Sequence, residues 1–515
     1  MGSLKAMPPG DGDGTAEHRD VVIVGAGLSG IGAAYRLQSE CPGKSYAILE
    51  AREAIGGTWD LFRYPGVRSD SDMFTLGYPF RPWTGEKTIA DGASIRGYIQ
   101  QTAAEAKIDA RIRFRSRIVR ADWSSADAWW TLEVERTDAN GAPGRGTLTC
   151  SFLYLCSGYY NYDSGYLPEF EGSDTFRGRI IHPQFWPDDL DYDGRNVVVI
   201  GSGATAVTLL PNMAERAAHV TMLQRSPSYV TAVPSRDKTV AAFRRYLPAP
   251  LAHSLARAKY VALTQGFYQL CRRRPEAAKR LIRKQQLGIL GDQAQIDEHF
   301  TPRYQPWDQR LCIAPGADLF RTLKSGKASV VTDGIASFDA DGIRLASGGH
   351  LAADVIVAAT GLSMLPLGGV AFTVDGGPVD LGDAWVYRGV LVSGLPNVGI
   401  CIGYTNASWT LRADLSSRYV CRLLRFMDRH GYASAVPRVR TVMGARPVLD
   451  LTSGYVRRSI GTFPKQGDRR PWTVRHNYLL DAPSMRWANV RRNMAFAKGP
   501  GASAPSGRIK EELRG

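Results

Sequence analysis

Residues 21–30 read VVIVGAGLSG, and this stretch decides the fold of the 515-residue chain. A short β-branched run leads directly into Gly25, Gly27 and Gly30, spaced as Gly-x-Gly-x-x-Gly, and then into helix-like sequence. In a Rossmann unit the first glycine permits a tight turn, the second lets the backbone approach a pyrophosphate, and the third allows close packing of helix on strand. Residues 21–30 therefore predict a dinucleotide-binding βαβ unit.

A carboxylate stands where this first unit would hold a ribose. Glu50 follows the next strand-like run, residues 46–49, and lies twenty residues after Gly30. An acidic side chain at this place suits the two hydroxyls of an unphosphorylated ribose, and the pyrophosphate would sit at the N-terminus of the helix. The alternative is a glycine-rich turn with a purely structural role.

A second unit of the same kind begins at residue 197. Gly201, Gly203 and Ala206 form Gly-x-Gly-x-x-Ala after a β-branched run, and the strand that follows runs into Arg225 instead of an acid. An arginine can form charge-assisted hydrogen bonds to a 2′-phosphate, which an acid would repel. We therefore expect NADPH rather than NADH at this site; the alternative for Arg225 is an ordinary surface arginine.

Composition limits the class of protein. Hydrophobic residues make up 44% and charged residues 22% of the chain, as in ordinary globular proteins, and the length predicts two or more domains. Uncharged apolar runs stay below the roughly 18–20 residues that a membrane-spanning helix needs. The seven cysteines include no Cys-x-x-Cys pair, which argues against a disulfide framework, a zinc site and a dithiol reductase. We expect buried thiols, no metal and a cytoplasmic location.

The formal net charge is +15. The densest basic run lies in helix-like sequence and contains Arg272, Arg273, Arg274, Lys279, Arg280, Arg283 and Lys284. A solvated helix face is one interpretation, and a weak, peripheral membrane-surface contact is the other. No nucleic-acid-binding motif accompanies the charge, so we expect no nucleic-acid partner.

Two longer motifs lie between and beside the glycine units. The first matches [A/G]-G-x-W-x4-[F/Y]-P-[G/M]-x3-D and consists of Gly56, Gly57, Thr58, Trp59, Tyr64, Pro65, Gly66 and Asp70. The second matches F-x-G-x3-H-x3-W-P and consists of Phe176, Gly178, His182, Trp186 and Pro187. Both resemble the fingerprints of Baeyer–Villiger monooxygenases, and the chain is most similar to the ethionamide-activating branch. Related flavin monooxygenases that oxidise amines and sulfides usually lack the final Trp-Pro. The resemblance runs from about residue 20 to residue 498.

This resemblance implies an α/β fold with two Rossmann-like domains, for FAD and NADPH, and a helical insertion. The expected boundaries are a flexible leader at 1–19, a discontinuous FAD domain at 20–155 and 355–498, an NADPH domain at 159–354 with its insertion at about 238–296, and a disordered tail at 499–515. Residues 156–158 and 360–361 resemble the linkers on which the NADPH domain turns. His182 and Trp186 are expected to couple the domains rather than to react.

The resemblance also implies the chemistry. NADPH would reduce the flavin, which would capture O2 as a C4a-peroxide and convert ketones to esters or lactones, or thioethers and thioamides to S-oxides. Arg310 is similar to the catalytic arginine of the family and Asp70 to the carboxylate beside it; the alternative is an interdomain ion pair without a chemical role. Better-known relatives carry Lys before this arginine, whereas this chain has Gln309, which leaves the strictness of the NADPH preference open.

The remaining expected flavin contacts are Gly57, Thr58 and Trp59 of the first fingerprint and Asn406, which would open a helix facing the flavin. Two rival functions stay open. One is a flavin monooxygenase restricted to nitrogen and sulfur oxidation. The other is a non-catalytic redox sensor that binds flavin and NADPH, against which the pairing of Arg310 with Asp70 argues.

Overall fold

The protein is described here by a computed structural model that covers residues 17–138, 141–449 and 451–499. Residues 1–16 of the predicted leader and 500–515 of the predicted tail lie outside the described residues. The first strand already begins at His18, inside the range predicted as a leader.

Within the described ranges, helices and strands alternate along the chain. The α-helices are α1 Leu28–Glu40, α2 Thr58–Leu61, α3 Met73–Leu76, α4 Gly92–Glu105, α5 Ala204–Met213, α6 Lys238–Tyr246, α7 Ala249–Arg273, α8 Pro275–Leu290, α9 Gln293–His299, α10 Asp318–Lys324, α11 Trp409–His430, α12 Gly454–Ser459 and α13 Tyr478–Arg486. The strands are β1 His18–Val24, β2 Tyr46–Leu49, β3 Ile112–Arg113, β4 Ser116–Ser124, β5 Trp129–Thr137, β6 Pro143–Leu155, β7 Tyr160–Gly165, β8 Arg179–Ile181, β9 Asn196–Ile200, β10 His219–Gln224, β11 Val230–Val233, β12 Cys312–Pro315, β13 Ala328–Thr332, β14 Ile335–Asp339, β15 Gly342–Leu345, β16 His350–Ala352, β17 Val355–Ala358, β18 Leu362–Met364, β19 Ala371–Val374, β20 Gly377–Pro378, β21 Val386–Tyr387, β22 Leu391–Val392, β23 Val398–Ile400, β24 Ser434–Pro437, β25 Arg446–Pro447, β26 Lys465–Gln466 and β27 Met494–Ala497.

The first glycine unit lies in a mixed sheet of eleven strands. β1 pairs in parallel with β2 on one side and with β6 on the other, and β23 pairs in parallel with the outer edge of β6. Successive side chains of β1 alternate between two cores: Val21 and Ile23 belong to one, and Val22 belongs to the other. Because both faces of the strand are covered, it is apolar throughout, as parallel strands usually are.

The second glycine unit lies in a separate sheet of five parallel strands, in the order β13-β10-β9-β17-β8. Strand β17 lies between β9 and β8, so residues 355–358 belong to this sheet. The predicted return to the first domain at 355 is therefore wrong by four residues. A short, fully buried apolar run fits the middle of either sheet, and nothing within it indicates which one.

Four helices, α6 to α9, fill the segment predicted as a helical insertion and extend it to His299. α7 packs against both of its neighbours, α6 and α8. The buried side chain of Gln286 in α8 donates to the Val230 carbonyl of β11 at 2.9 Å, which fixes the insertion to the ribbon formed by β11 and β12. The two sheets with this insertion confirm the predicted fold class.

The two crossings between the sheets run side by side. β7, after the first crossing, pairs antiparallel with β18, after the second. The Tyr166 N–H donates to the Gly361 carbonyl at 3.2 Å, and the Thr360 hydroxyl donates to the Tyr166 carbonyl at 2.6 Å. The expected linkers, residues 156–158 and 360–361, thus lie next to one small ribbon.

The seven cysteines are all buried and free of disulfides, which confirms the expected buried thiols. Across the described ranges, none of the helices is both long and apolar enough to cross a membrane. The same residues contain no cluster of three or more His, Cys, Asp or Glu side chains placed to hold a metal ion.

Candidate active site

A cavity follows the carboxyl ends of the central strands of the first sheet. Its wall includes Val24 at the end of β1, Glu50 after β2 and Cys156 after β6, and it continues to Thr205 of α5 in the second unit. Ligands of open α/β sheets bind at the carboxyl ends of the strands. One cavity therefore adjoins both glycine units.

The first glycine loop has the geometry of a phosphate cradle. A Cβ atom on Gly30 would lie 1.8 Å from the Gly25 carbonyl oxygen, and Gly25 has a φ of +99°. α1 begins after Gly27 without a side-chain cap, so no side chain occupies the N–H groups of its first turn. Unpaired N–H groups at a helix N-terminus favour an anion, and the loop fits a pyrophosphate.

Glu50 lies beside this loop and is only 5% exposed. Its carboxylate accepts from the Ala26 N–H at 2.6 Å and from the Arg52 N–H at 2.9 Å. Burial raises the pKa of Glu50 above its usual range, although these two backbone donors act in the opposite direction. The acid is thus fixed at the cavity wall where the sequence predicted a ribose partner.

The second glycine loop is built in the same way but lies more in the open. Gly201 has a φ of +135°, and a Cβ on it would lie 2.4 Å from the Ala359 carbonyl oxygen. α5 begins after Gly203 without a side-chain cap, and Ala206 is fully buried. Arg225 follows β10, is exposed and forms no ion pair with the described residues. Its guanidinium is accessible to a phosphate.

The first fingerprint forms an arm that reaches from the first sheet to the second. Tyr64 is buried in the core of the second unit, where burial raises its pKa to about 12. A Cβ on Gly66 would lie 2.1 Å from the Asn212 side chain of α5, so the backbone packs directly on that helix. Arg68 forms an ion pair with Asp318 of α10. The arm therefore places the end of the fingerprint next to α5 and α10 of the second unit.

Asp70 and Arg310 meet at the end of this arm. Nε of Arg310 lies 3.4 Å from Oδ2 of Asp70, and both residues line the cavity. The side chains are 22% and 35% exposed, so the pair is neither sealed in the core nor free in solvent. Gln309 precedes this arginine and is half-buried. A fixed cation thus faces the space between the two units.

Comparisons with known proteins agree with this geometry. Residues 23–85 match the family of NAD(P)-binding Rossmann-like domains, and residues 88–239 match the flavin-binding monooxygenase-like family. The FAD-containing monooxygenase EthA of Mycobacterium tuberculosis (strain H37Rv) is 51% identical over 94% of this chain and 99% of its own length. The probable FAD-binding monooxygenase AlmA of Acinetobacter baylyi is 46% identical over 91% of this chain and 94% of its own.

The chain belongs to the FAD-containing monooxygenase family. This confirms, at the level of the family, the resemblance carried by the two fingerprints. Among solved structures, an oxidised steroid monooxygenase bound to NADP has a TM-score of 0.72 at 21% identity, covering 94% of this chain and 100% of that one. OTEMO in complex with FAD and NADP has a TM-score of 0.66 at 21% identity, covering 82% and 87% of the two chains. These structures share the fold of this monooxygenase.

The second fingerprint of the monooxygenase connects the second linker to strand β7. Nε2 of His182 donates to the Gly361 carbonyl at 2.9 Å, while its Nδ1 accepts from the Gln184 N–H at 3.2 Å. The side-chain amide of Gln184 donates to the Asn161 and Tyr162 carbonyls at 2.9 and 3.1 Å. This pattern needs a neutral imidazole, and burial lowers the pKa of His182 accordingly.

The rest of this fingerprint packs rather than reaching the cavity wall. Phe176 is buried, and a Cβ on Gly178 would lie 2.2 Å from the Asp354 carbonyl oxygen. Trp186 packs against the core of the second unit, and the carbonyl of Pro187 accepts from the Leu190 N–H at 3.4 Å. The geometry accords with a coupling role.

Helix α11 opens at the cavity with Trp409, whose indole N–H donates to the Ser29 hydroxyl at 2.7 Å. Asn406 is placed differently from the prediction. It is buried, its amide donates to the His476 carbonyl at 2.7 Å, and it is not part of the cavity wall. Ala407 lines the cavity in its place, so Asn406 supports the entry to the helix from behind.

Gly57, Thr58 and Trp59, the other expected flavin contacts, do line the cavity. Sequence reasoning missed Tyr162, which lines the same region and whose hydroxyl lies 3.3 Å from that of Thr58. Burial raises the pKa of Tyr162 to about 12, so it stays a neutral hydrogen-bonding group. A tyrosine in a short strand such as β7 carries no distinguishing sequence pattern, so the sequence does not point to it.

Proposed function

We propose that this protein is an FAD- and NADPH-dependent Baeyer–Villiger monooxygenase that converts ketones to esters or lactones and oxidises thioethers and thioamides to S-oxides. In the ketone reaction, one atom of O2 enters the ester and the other leaves as water, while NADPH supplies two electrons. The observation that carries the proposal is the pair of Asp70 and Arg310, which faces a cavity adjoining both dinucleotide motifs.

The first unit is assigned to FAD. The cradle formed by Gly25, Gly27 and the open N-terminus of α1 would take the pyrophosphate, and Glu50 would take the ribose hydroxyls. Gly57 approaches Gly27 so closely that a Cβ on Gly57 would lie 3.1 Å from the Gly27 Cα, which leaves backbone alone along this part of the wall. Trp59 and Trp409 would border the ring system.

The second unit is assigned to NADPH. Its open helix N-terminus after Gly203 would take the pyrophosphate, and the exposed Arg225 would take the 2′-phosphate. Gln309 adjoins Arg310 and would supply neutral hydrogen bonds to the 2′-phosphate end of the nucleotide. The relatives named for FAD, and OTEMO with FAD and NADP, support this pair of cofactors.

When bound, FAD supplies the acceptance of hydride from NADPH and the activation of O2. When the activated oxygen adds to the carbonyl carbon of a ketone, the neutral carbonyl oxygen becomes an anion. The guanidinium of Arg310 is a fixed charge that would stabilise that anion. Asp70 holds the guanidinium at 3.4 Å and limits its rotation. Aromatic side chains of the wall, among them Phe62 and Tyr159, would exclude water from the site.

The test is product analysis under ¹⁸O₂ with NADPH and the FAD-loaded enzyme. Ketones and thioethers of matched size are supplied, and products are identified by mass spectrometry. We expect one labelled atom in the ester or lactone and one in the sulfoxide. A labelled sulfoxide without any labelled ester would leave an enzyme restricted to nitrogen and sulfur oxidation and would contradict the Baeyer–Villiger assignment.

Replacing the central cation tests the mechanism directly. Arg310→Ala should lower the yield of labelled ester by about 100-fold or more, as the loss of one stabilising donor does elsewhere, while flavin is still reduced by NADPH. Arg303→Ala, an exposed arginine on the same loop, is the matched control and should keep full activity. Unchanged ester formation by the Arg310 variant would remove the proposed role.

A further inference from the structure

We propose that the exposed face of α7, together with the exposed face of α8, docks this protein onto an anionic lipid bilayer. The α7 face is formed by Leu251, Ser254, Leu255, Ala258, Ala262 and Gly266, which are all exposed. These positions recur at intervals of three and four residues and therefore lie on one side of the helix. A solvent-facing stripe of more than four turns without a charged side chain is unusual for a helix of a globular protein.

Charge around the stripe favours a negatively charged partner. From Lys238 to Arg274 the sequence contains eight Lys and Arg residues and no Asp or Glu. Some of the basic residues face inward: Arg257 donates to the Phe74 and Gly77 carbonyls at 3.0 Å, and Lys259 lies 2.7 Å from Asp237.

Other basic residues remain exposed at the two ends of the stripe. Lys238 lies before it, and Arg273 and Arg274 lie after it; none of the three forms an ion pair with the described residues. A second copy of the chain would bring these like charges together. An anionic bilayer offers both an apolar layer and a negative surface, and basic residues near such a surface strengthen binding to it.

Helix α8, which packs against α7, has an exposed face of mixed composition. Leu281 and Leu287 are exposed, and Arg280 and Lys284 lie on the same side of the helix. Leucines with neighbouring basic side chains are typical of helices that lie in the plane of a membrane interface. Tyr246, at the end of α6, is 73% exposed and supplies the kind of aromatic ring that is enriched at that depth.

A buried residue of α7 contacts the wall of the cavity. Val261 is buried in a small cluster with Tyr404, Ala407 and Leu411, and the first two of these partners line the cavity. The proposed lipid-facing surface thus lies within about one helix width, roughly 10 Å, of the cavity wall. If the proposed function holds, docking would bring the site close to apolar substrates that are dissolved in the bilayer.

The experiment is vesicle co-sedimentation of the full-length, FAD-loaded protein. Vesicles of phosphatidylcholine with about 30% phosphatidylglycerol are compared with pure phosphatidylcholine, at low and high salt. We expect sedimentation with the anionic vesicles, weakened by salt. Leu251→Glu combined with Leu255→Glu should lower the bound fraction by about tenfold or more, because two apolar contacts become charges. Val442→Glu combined with Ile460→Glu is the matched control, since both residues are exposed apolar residues outside α7 and α8.

A second variant, Arg273→Glu with Arg274→Glu, guards against a folding defect and should abolish the preference for anionic vesicles. NADPH oxidation with a water-soluble substrate reports whether each variant is folded, independently of docking. Equal sedimentation of wild type with and without vesicles would overturn the proposal. So would light scattering that shows a dimer in solution which dissociates in the Leu251 and Leu255 variant, because the face would then belong to a second copy.

Discussion

The two glycine units of this monooxygenase share a motif but differ in their surroundings. In the first, Gly25 and Gly27 line the cavity themselves, and Glu50, the proposed ribose partner, is buried and bonded to two backbone amides. In the second, α5 lines the cavity, and Arg225, the proposed phosphate partner, is exposed and without an ion pair among the described residues. Enclosure suits a cofactor that stays bound, and exposure suits one that must leave after each turnover.

Substitution at the third position of the glycine motif should have the largest effect, and the effect should differ between the two units. Gly30→Ala places a Cβ 1.8 Å from a carbonyl oxygen, so the loop or the helix must shift. We expect FAD per chain to fall to about a tenth of the wild-type ratio or less, because the cradle is lost. In the second unit this position is already Ala206, and Ala206→Gly should cost about 1 kcal/mol of unfolding free energy, as a glycine in a helix does.

Flavin absorbance per mole of protein measures the first effect, and chemical denaturation measures the second. Ala206→Gly serves as the control for general loosening of a Rossmann helix and should keep its FAD. A Gly30→Ala protein that purifies with a full complement of FAD would show that the enclosure of the first site is unimportant.

Arg225 should give the next largest effect. Arg225→Ala removes charge-assisted hydrogen bonds of about 1.5–3 kcal/mol in total, so the KM for NADPH should rise by about 10- to 100-fold. The KM for NADH, which has no 2′-phosphate, should change by no more than about twofold. Steady-state kinetics with both nucleotides checks this, with the exposed Arg195→Ala as a control. Equal changes for both nucleotides would contradict the assignment.

The contribution of His182 to thermal stability should depend on pH, with a smaller effect than the two above. His182 is held neutral between Gly361 and Gln184, and burial lowers its pKa in the folded protein. Its stabilising contribution is therefore complete above the ordinary histidine pKa of about 6.5 and is lost as the pH falls through the lower folded value. His182→Gln cannot titrate, so its deficit in melting temperature should shrink between about pH 7.5 and pH 5.5. A deficit that is the same at every pH would mean that the ring acts by packing alone.

The comparison also explains what could be predicted from the sequence. Each glycine motif is a local pattern with a local physical cause, so both units could be predicted directly, and Glu50 and Arg225 stay predicted as their charged partners. Asp70 and Arg310 are 240 residues apart, and only the family resemblance suggested that they meet. The sequence predicts Asn406 as a flavin contact at the start of a helix, but its amide donates to the His476 carbonyl instead.

Long-range packing was beyond sequence reasoning. Nothing local distinguishes Arg68 from other surface arginines, yet it pairs with Asp318 and anchors the arm to the second unit. The sequence also predicts the wrong sheet for the buried run at 355–358. Its apolar residues fit any central strand, and only the pairing with β9 shows which sheet contains it. The basic stretch around Arg273 was noted as a charge pattern, but the uncharged stripe on α7 becomes visible only once the helix faces are known.

The pairing of β7 with β18 has a consequence for protein engineering. Because the chain departs from the first sheet and comes back to it through adjacent strands, the whole second unit is an insert with its two ends side by side. Such an insert can be exchanged as a cassette, since a donor segment with the same end-to-end spacing meets both junctions without stretching. Because Arg310 lies within this insert and Asp70 lies outside it, an exchange at the ribbon would carry the proposed coenzyme site and the proposed catalytic arginine together.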